Sequence, residues 1–221
     1  MEIKGVQISY LGHSGFLINN GKKIAIDPYN VSDKVEKVDV ILLTHSHYDH
    51  CSIKDIEKLS REGTIIVATP DCQSKVMNVD GVTLEVVEVG DNIDVGGIKI
   101  ECVPSYNKEK DFHPKSEGWV GYIVKFKEVI VYHTGDSDFI PEMQRLSGYG
   151  KHGNEFVGLF PVSGKFVMDP EEAAEAASVI SPDLCIPMHY GAGVAGTIED
   201  AERFVELCKE KGLNAKILEK V

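Results

Sequence analysis

Residues 44–52 read Thr-His-Ser-His-Tyr-Asp-His-Cys-Ser, which places His45, His47, Asp49 and His50 within one short window. The mainly apolar run from Val38 to Leu43 directly precedes them and has the pattern of a strand covered on both faces. A helix that binds zinc through two histidines needs them four apart on one face. The spacing here fits no single helical face; it fits a loop at the carboxyl end of a strand, turning alternate side chains toward two neighbouring points. Imidazole and carboxylate are ligands for zinc and other borderline divalent ions, which take about four donors each. The donors in this loop are too many for one ion and too few for two, so further ligands must come from elsewhere. A single histidine here would read as a surface residue and a single Asp49 as a helix cap; together, after a buried strand, they point to metal.

Around this loop the chain alternates strands and helices. Ile3 to Tyr10, Phe16 to Asn19 and Lys22 to Asp27 read as three strands of an antiparallel meander. Ser52 and Asp55 have the form of a capping box for a helix that Gly63 stops. Thr64 to Ala68 is a second buried strand, and Pro70 opens a short helix ending near Met77. The Val- and Ile-rich stretch from Val82 to Val103 is broken into strands by Gly90-Asp91 and Gly96-Gly97. Residues 104–118 are polar and aperiodic, a length of loop that usually carries function. Then come strands over Trp119 to Phe126, Val129 to His133, Phe156 to Val162 and Leu184 to Met188. Helices begin at Asp169-Pro170 and at Thr197 with Asp200, and Ile217-Leu218 is expected in a closing strand. No linker or repeat divides the chain, so one α/β domain over residues 1–221 is expected.

The motif His-x-His-x-Asp-His at His45 to His50 resembles the signature of the metallo-β-lactamase superfamily. Asp27-Pro28 after an early strand, Gly135-Asp136 after a later one and His189 in Pro-Met-His-Tyr-Gly agree with it in order. The resemblance implies a four-layer α/β/β/α sandwich with a two-metal site at one edge. It implies that His45 and His47 bind one ion, that Asp49, His50 and His189 bind the other, and that Asp136 bridges them. Asp27 resembles the acid that orients the metal loop from behind. His113 is assigned as the remaining ligand, with Tyr106, Asn107 or a water as alternatives. The turn Leu11-Gly12-His13-Ser14, with Pro161-Val162-Ser163-Gly164, resembles a branch that includes L-ascorbate-6-phosphate lactonase and metal-dependent hydrolases without an assigned substrate. His13 is then a substrate contact or proton carrier, or else a turn-stabilising residue. His133 lies in an apolar strand and reads as a hydrogen-bonded core residue, and His152 as a solvent-exposed one.

The expected chemistry is hydrolysis of an ester, lactone or phosphoester in a small substrate by hydroxide held between two divalent ions, most naturally zinc, with manganese or iron as alternatives. Asp49 serves both as ligand and as proton acceptor. The alternatives on the same scaffold are a di-iron oxidoreductase, whose relatives resemble His-x-Glu-x-Asp-His where this chain has His47, and an RNA or DNA nuclease. A formal net charge of −12 over 221 residues speaks against nucleic acid as a partner. No apolar run is long enough to span a bilayer and no leader pattern opens the chain, so a cytoplasmic protein with no membrane partner is expected, with a homo-oligomer possible. The five cysteines are widely spaced and read as reduced, buried thiols; Cys51 beside the motif is assigned to packing. Lys108, Lys110, Lys115 and Lys165 flank the proposed site, where they serve a substrate anion or, more simply, stay solvated.

Overall fold

The computed structural model describes residues 1–150 and 153–221, so the expectation for His152 lies outside the described residues. Seven strands form one sheet: β1 (Glu2–Ile3), β2 (Val6–Gly12), β3 (Gly15–Asn19), β4 (Lys23–Ile26), β5 (Val40–Leu43), β6 (Thr64–Ala68) and β7 (Val82–Val86), hydrogen-bonded in chain order. The strands β1 to β4 are antiparallel neighbours; β4 through β7 run parallel. A second sheet has the order β13 (Leu184–Met188), β12 (Glu155–Pro161), β11 (Val129–His133), β10 (Val120–Lys125), β9 (Ile98–Pro104) and β8 (Asn92–Val95). There β8 to β11 are antiparallel and β11 to β13 parallel.

The alternation of side chains along each strand builds the layers. In β4, Ile24 and Ile26 enter the core between the sheets, whereas Ala25 joins the core on the other face; in β5, Val40 and Leu42 face inward and Ile41 and Leu43 outward. That outer core is closed by α1 (Ile53–Leu59) and α2 (Gln73–Val76), through Ile56, Leu59 and Val76. On the far side α3 (Pro170–Ile180) and α4 (Ile198–Glu210) pack on each other and on β12 and β13. The result is the four-layer α/β/β/α sandwich of the metallo-β-lactamase fold. Strands buried on both faces need apolar residues at every position, which is why β5 reads Val-Ile-Leu-Leu without alternation. No helix among the described residues is long and apolar enough to cross a membrane.

Three local expectations differ. The first strand is split, because Lys4 and Gly5 turn with positive φ between β1 and β2. The Ser52 hydroxyl at the start of α1 accepts no helix amide; it donates to the Asp55 carboxylate at 2.6 Å, while Asp55 accepts the amides of Asn30 and Val31 at 2.9 Å each. The carboxylate thus ties the helix to a loop from the preceding strand. Near the end of the chain no strand closes either sheet. Ala215 bridges Cys185 in the second sheet and Lys220 bridges Tyr10 in the first, so this segment crosses from one sheet to the other.

Candidate metal centre at the carboxyl ends of the strands

In open α/β sheets, ligands gather beyond the carboxyl ends of the strands. Both sheets of this protein deliver polar side chains there. His13 follows β2, Asp27 follows β4, His45 to His50 follow β5, Asp136 follows β11 and His189 follows β13. His113 comes from the loop between β9 and β10, where the Asn107 amide donates to the His113 carbonyl at 2.7 Å and the Asn107 side-chain oxygen accepts the His113 amide at 3.0 Å. Of these, His13, Asp27, His45, Asp49, His50, His113, Asp136 and His189 are buried and His47 is half-buried.

Hydrogen bonds on the outer side of each ring decide where its protons sit. Asp27 accepts from the Thr44 amide at 2.9 Å and from the Thr44 hydroxyl at 2.6 Å. With its proton committed to Asp27, the Thr44 hydroxyl accepts from His45 Nδ1 at 2.9 Å. Asp27 also accepts from His50 Nδ1 at 2.7 Å, and His113 Nδ1 faces two acceptors, Asn107 Oδ1 at 3.0 Å and the Phe166 carbonyl at 3.1 Å. All three rings therefore carry hydrogen on Nδ1 and turn Nε2 inward. Ser163 meets His189 Nδ1 at 2.8 Å. Such outer partners fix the tautomer of metal-binding histidines and orient their rings.

Inside this frame the donors converge. Asp136 Oδ2 lies 3.2 Å from His50 Nε2, 3.2 Å from His113 Nε2 and 3.1 Å from His189 Nε2. The potential ligand atoms of His45, His47 and His113 fall within 4.8 Å of one another; so do those of His13, Asp49, His50 and His189, and those of His45, His50 and Asp136. Two donor sets thus share Asp136 at their junction. Buried polar atoms normally have partners. Here His45 Nε2, His50 Nε2, His113 Nε2 and Asp136 Oδ1 make no well-aligned hydrogen bond among the described residues, and all face one small volume. Nitrogen and carboxylate donors in this number fit divalent cations such as zinc.

The electrostatics have the same character. Burial opposes charge on His50, yet Asp136 and Asp27 beside it hold its pKa well above the ordinary imidazole value. His45 lies well below that value because it is buried and next to His50. Burial alone would raise the Asp136 pKa, but His189, His50 and His113 hold it well below the usual carboxylate range. His13 is lowered to about 4, chiefly by burial, which the hydrogen bond to Asp49 only partly offsets. Against the effect of burial, that same bond and the nearby His50 draw Asp49 down to about 2. His13 Nε2, 2.9 Å from Asp49 Oδ2, therefore donates from a neutral ring to a carboxylate.

Three residues of the centre, His13, Asp27 and His189, have left-handed backbones, with φ of 56°, 43° and 61°. Non-glycine residues seldom adopt this conformation, and it concentrates at functional sites. Gly135 prepares the position of Asp136 in the same way. Its φ is 65°, and a Cβ there would sit 2.8 Å from both Ser105 Oγ and the Val120 carbonyl.

A family model described as a beta-lactamase superfamily domain matches residues 7–189, the span from the first full strand to the last of these ligands. The chain belongs to this superfamily. Among its relatives is a UPF0173 metal-dependent hydrolase of Thermococcus kodakarensis, 34% identical over 216 residues and covering 93% of each chain. A crystal structure from Parabacteroides distasonis superposes with a TM-score of 0.82 at 28% identity, over 97% of this chain and 94% of that one. CmlA, a diiron beta-hydroxylase of Streptomyces venezuelae, shares the fold at a TM-score of 0.73 and 15% identity, over 98% of this chain and 53% of its own. The fold thus occurs with more than one chemistry, and the site itself must carry the functional argument.

The structure brings His45, His47, Asp49, His50, His113, Asp136 and His189 together, with Asp27 behind them. Asn107, considered as a ligand, instead holds the back of His113, and Tyr106 hydrogen-bonds Glu142 at 2.9 Å. His133 is a core residue: it accepts the Gly135 amide on Nδ1 at 3.1 Å, so its Nε2 donates to the Ser14 carbonyl at 2.8 Å. All five cysteines are free and buried. Trp119 was not singled out by its sequence context. Its ring lies 4.7 Å from His45 and 4.8 Å from His47, and its Nε1 donates to Asp71 at 2.7 Å. Asp71 also accepts the Ser46 amide at 3.0 Å, so one carboxylate secures both the metal loop and the wall beside it. The one available signal was that Trp119 is the chain's single tryptophan, at the end of the long polar loop.

Proposed function

We propose that the protein is a metal-dependent hydrolase that holds two adjacent divalent ions, zinc in the first instance with manganese or iron as alternatives, and cleaves an ester, lactone or phosphoester bond in a small substrate. The observation that carries this reading is the convergence of three imidazole Nε2 atoms on one Asp136 oxygen, with no well-aligned hydrogen bond to His45, His50 or His113 Nε2 among the described residues. His45, His47 and His113 would hold one ion, Asp49, His50 and His189 the other, with Asp136 between them. Divalent ions held in this way lower the pKa of water from about 15.7 toward ~7 and polarise a carbonyl or phosphoryl oxygen.

The chain's own residues do the rest. Thr44, Asp27 and Asn107 keep the histidine lone pairs aimed inward, so no rearrangement is needed when a substrate arrives. Trp119 excludes water from one flank of the His45, His47 and His113 set. Asp49 lines the cavity above the cluster, where its carboxylate is placed to take a proton from the reacting water. His13 is a positioning residue: it grips one Asp49 oxygen from behind and does not line that cavity.

The purified protein is expected to carry about two equivalents of divalent metal per chain and to hydrolyse nitrophenyl esters or bis-nitrophenyl phosphate. Chelation abolishes turnover, and added zinc, manganese or iron restores it. Elemental analysis with an optical spectrum separates zinc from an oxidative iron centre. Turnover that persists in metal-stripped protein overturns the proposal.

A further inference from the structure

The space above the cluster is a cavity of about 200 Å³ with a polar floor and an apolar wall. His47, Asp49, Asp136 and His189 form the floor, while Tyr48, Phe112, Phe166 and Val194 stand around it. Phe112 and Phe166 meet edge to face with ring centroids 4.6 Å apart. Among the described residues Tyr48 and Phe112 are the two aromatic side chains that rank as exposed, at 62% and 47%, and both stand at this mouth. Exposed aromatic surface beside a polar centre marks a place where apolar ligand surface is received.

Three of the four cations that flank the site in sequence are engaged with carboxylates away from the cavity. Lys110 is bonded to Asp138, Lys108 lies 3.7 Å from Glu172, and Lys115 is 2.8 Å from Glu142 and 3.2 Å from the Tyr106 hydroxyl. The Lys165 ammonium lies 4.9 Å from the centroid of the Phe166 ring and is not among the residues that line the cavity. Among the described residues no lysine or arginine lines the cavity. A phosphate or sulfate group beside the reacting bond would find carboxylates, imidazoles and aromatic rings, and no guanidinium or ammonium among the described lining residues.

Resting on the hydrolase reading above, we infer that the substrate is an ester, thioester or lactone with an uncharged, ring-sized apolar group beside the reacting carbonyl, received between Tyr48, Phe112 and Phe166. The cavity is below the size of sites that enclose a whole drug-sized ligand, roughly 300–1,000 Å³. It takes the reacting group and one ring, and the remainder of the substrate lies in solvent.

The test is a binding comparison on metal-loaded protein by calorimetry, with acetohydroxamate, phenylacetohydroxamate and phosphonoacetohydroxamate as probes. The phenyl compound is expected to bind at least about tenfold tighter than the acetyl one, from burial of one ring and its aromatic contacts. Phe112→Ala with Phe166→Ala narrows that ratio to less than about threefold; Phe112 is half exposed, so its loss does not threaten the core. A phenyl probe that gains nothing, or a phosphonate probe that gains more, overturns the inference. A parallel assay on phenylacetate and acetate esters separates the two readings. If neither ester is cleaved while the phenyl probe keeps its advantage, hydrolysis fails and the apolar subsite stands. If both are cleaved at equal kcat/KM and the phenyl probe has no advantage, the subsite fails and hydrolysis stands.

Discussion

The amide of His189 donates to the carbonyl of His13 at 2.7 Å, and the two imidazole rings lie 4.2 Å apart. One residue directly follows β13 of the second sheet, and the other lies in the turn between β2 and β3 of the first. Both have left-handed backbones, so each is shaped for this contact. Replacement of His13 separates conformation from side chain. His13→Ala keeps the unfavourable φ, worth about 1–2 kcal/mol, and loses the ring; His13→Gly loses the ring and relieves the backbone. Both variants are expected to weaken the affinity of the Asp49, His50 and His189 set about 10–100-fold, with the glycine variant melting at the higher temperature. Metal titration with thermal melting of both variants checks this, and unchanged metal affinity would remove His13 from its positioning role.

Asp27 holds the metal loop through three hydrogen bonds, two from Thr44 and one from His50, in full burial. Asp27→Asn preserves shape and tolerates the left-handed backbone, but its amide cannot accept at both ends. One buried donor is left without a partner, at a cost of about 1–3 kcal/mol. A urea midpoint lowered to match is expected, together with metal affinity reduced on the order of tenfold or more.

Gly135→Ala would place a methyl group against Ser105 Oγ and the Val120 carbonyl at a φ that L-residues avoid. Destabilisation of at least about 2 kcal/mol is expected, and Asp136 moves with the strained peptide. Gly135→Ala is therefore expected to lose bound metal more completely than a variant in the neighbouring strand of equal melting temperature. Elemental analysis of the folded fraction reads this out directly.

Chelation lowers stability without touching the chain. A ligand that binds only the folded state at 100 times its Kd adds about 2.7 kcal/mol, so the melting temperature should rise with free zinc and fall in chelator. In Asp136→Ala this dependence is expected to shrink markedly. A melting temperature indifferent to zinc in the parent protein would contradict the cation assignment.

What the sequence shows and what it hides follow from range. The metal loop after β5 is legible because four donors crowd within six positions behind a strand, and α3 is legible because Asp169 caps its own helix, accepting the Glu172 amide at 2.8 Å. His113 is recognisable through its loop. Apart from Asp27, the partners that orient these side chains are not. Ser163, Asn107 and Asp71 are ordinary loop residues until the fold sets them beside a histidine ring or the metal loop. The same reason defeats the capping box at Ser52, since Asp55 is claimed by amides from residues 30 and 31. It also explains the missing last strand, whose bridges go to both sheets at once.

The junction of His13 with His189 also sets an order of events. These two residues come from opposite ends of the chain, and between them every other ligand has already been made. A ribosome-bound chain that stops short of β13 has every residue of the first sheet and the His45 loop, yet it lacks His189, one donor of its set, and the strut that closes it. Full loading with metal therefore belongs to the finished polypeptide, and an incomplete chain leaves synthesis without a complete hydrolytic centre.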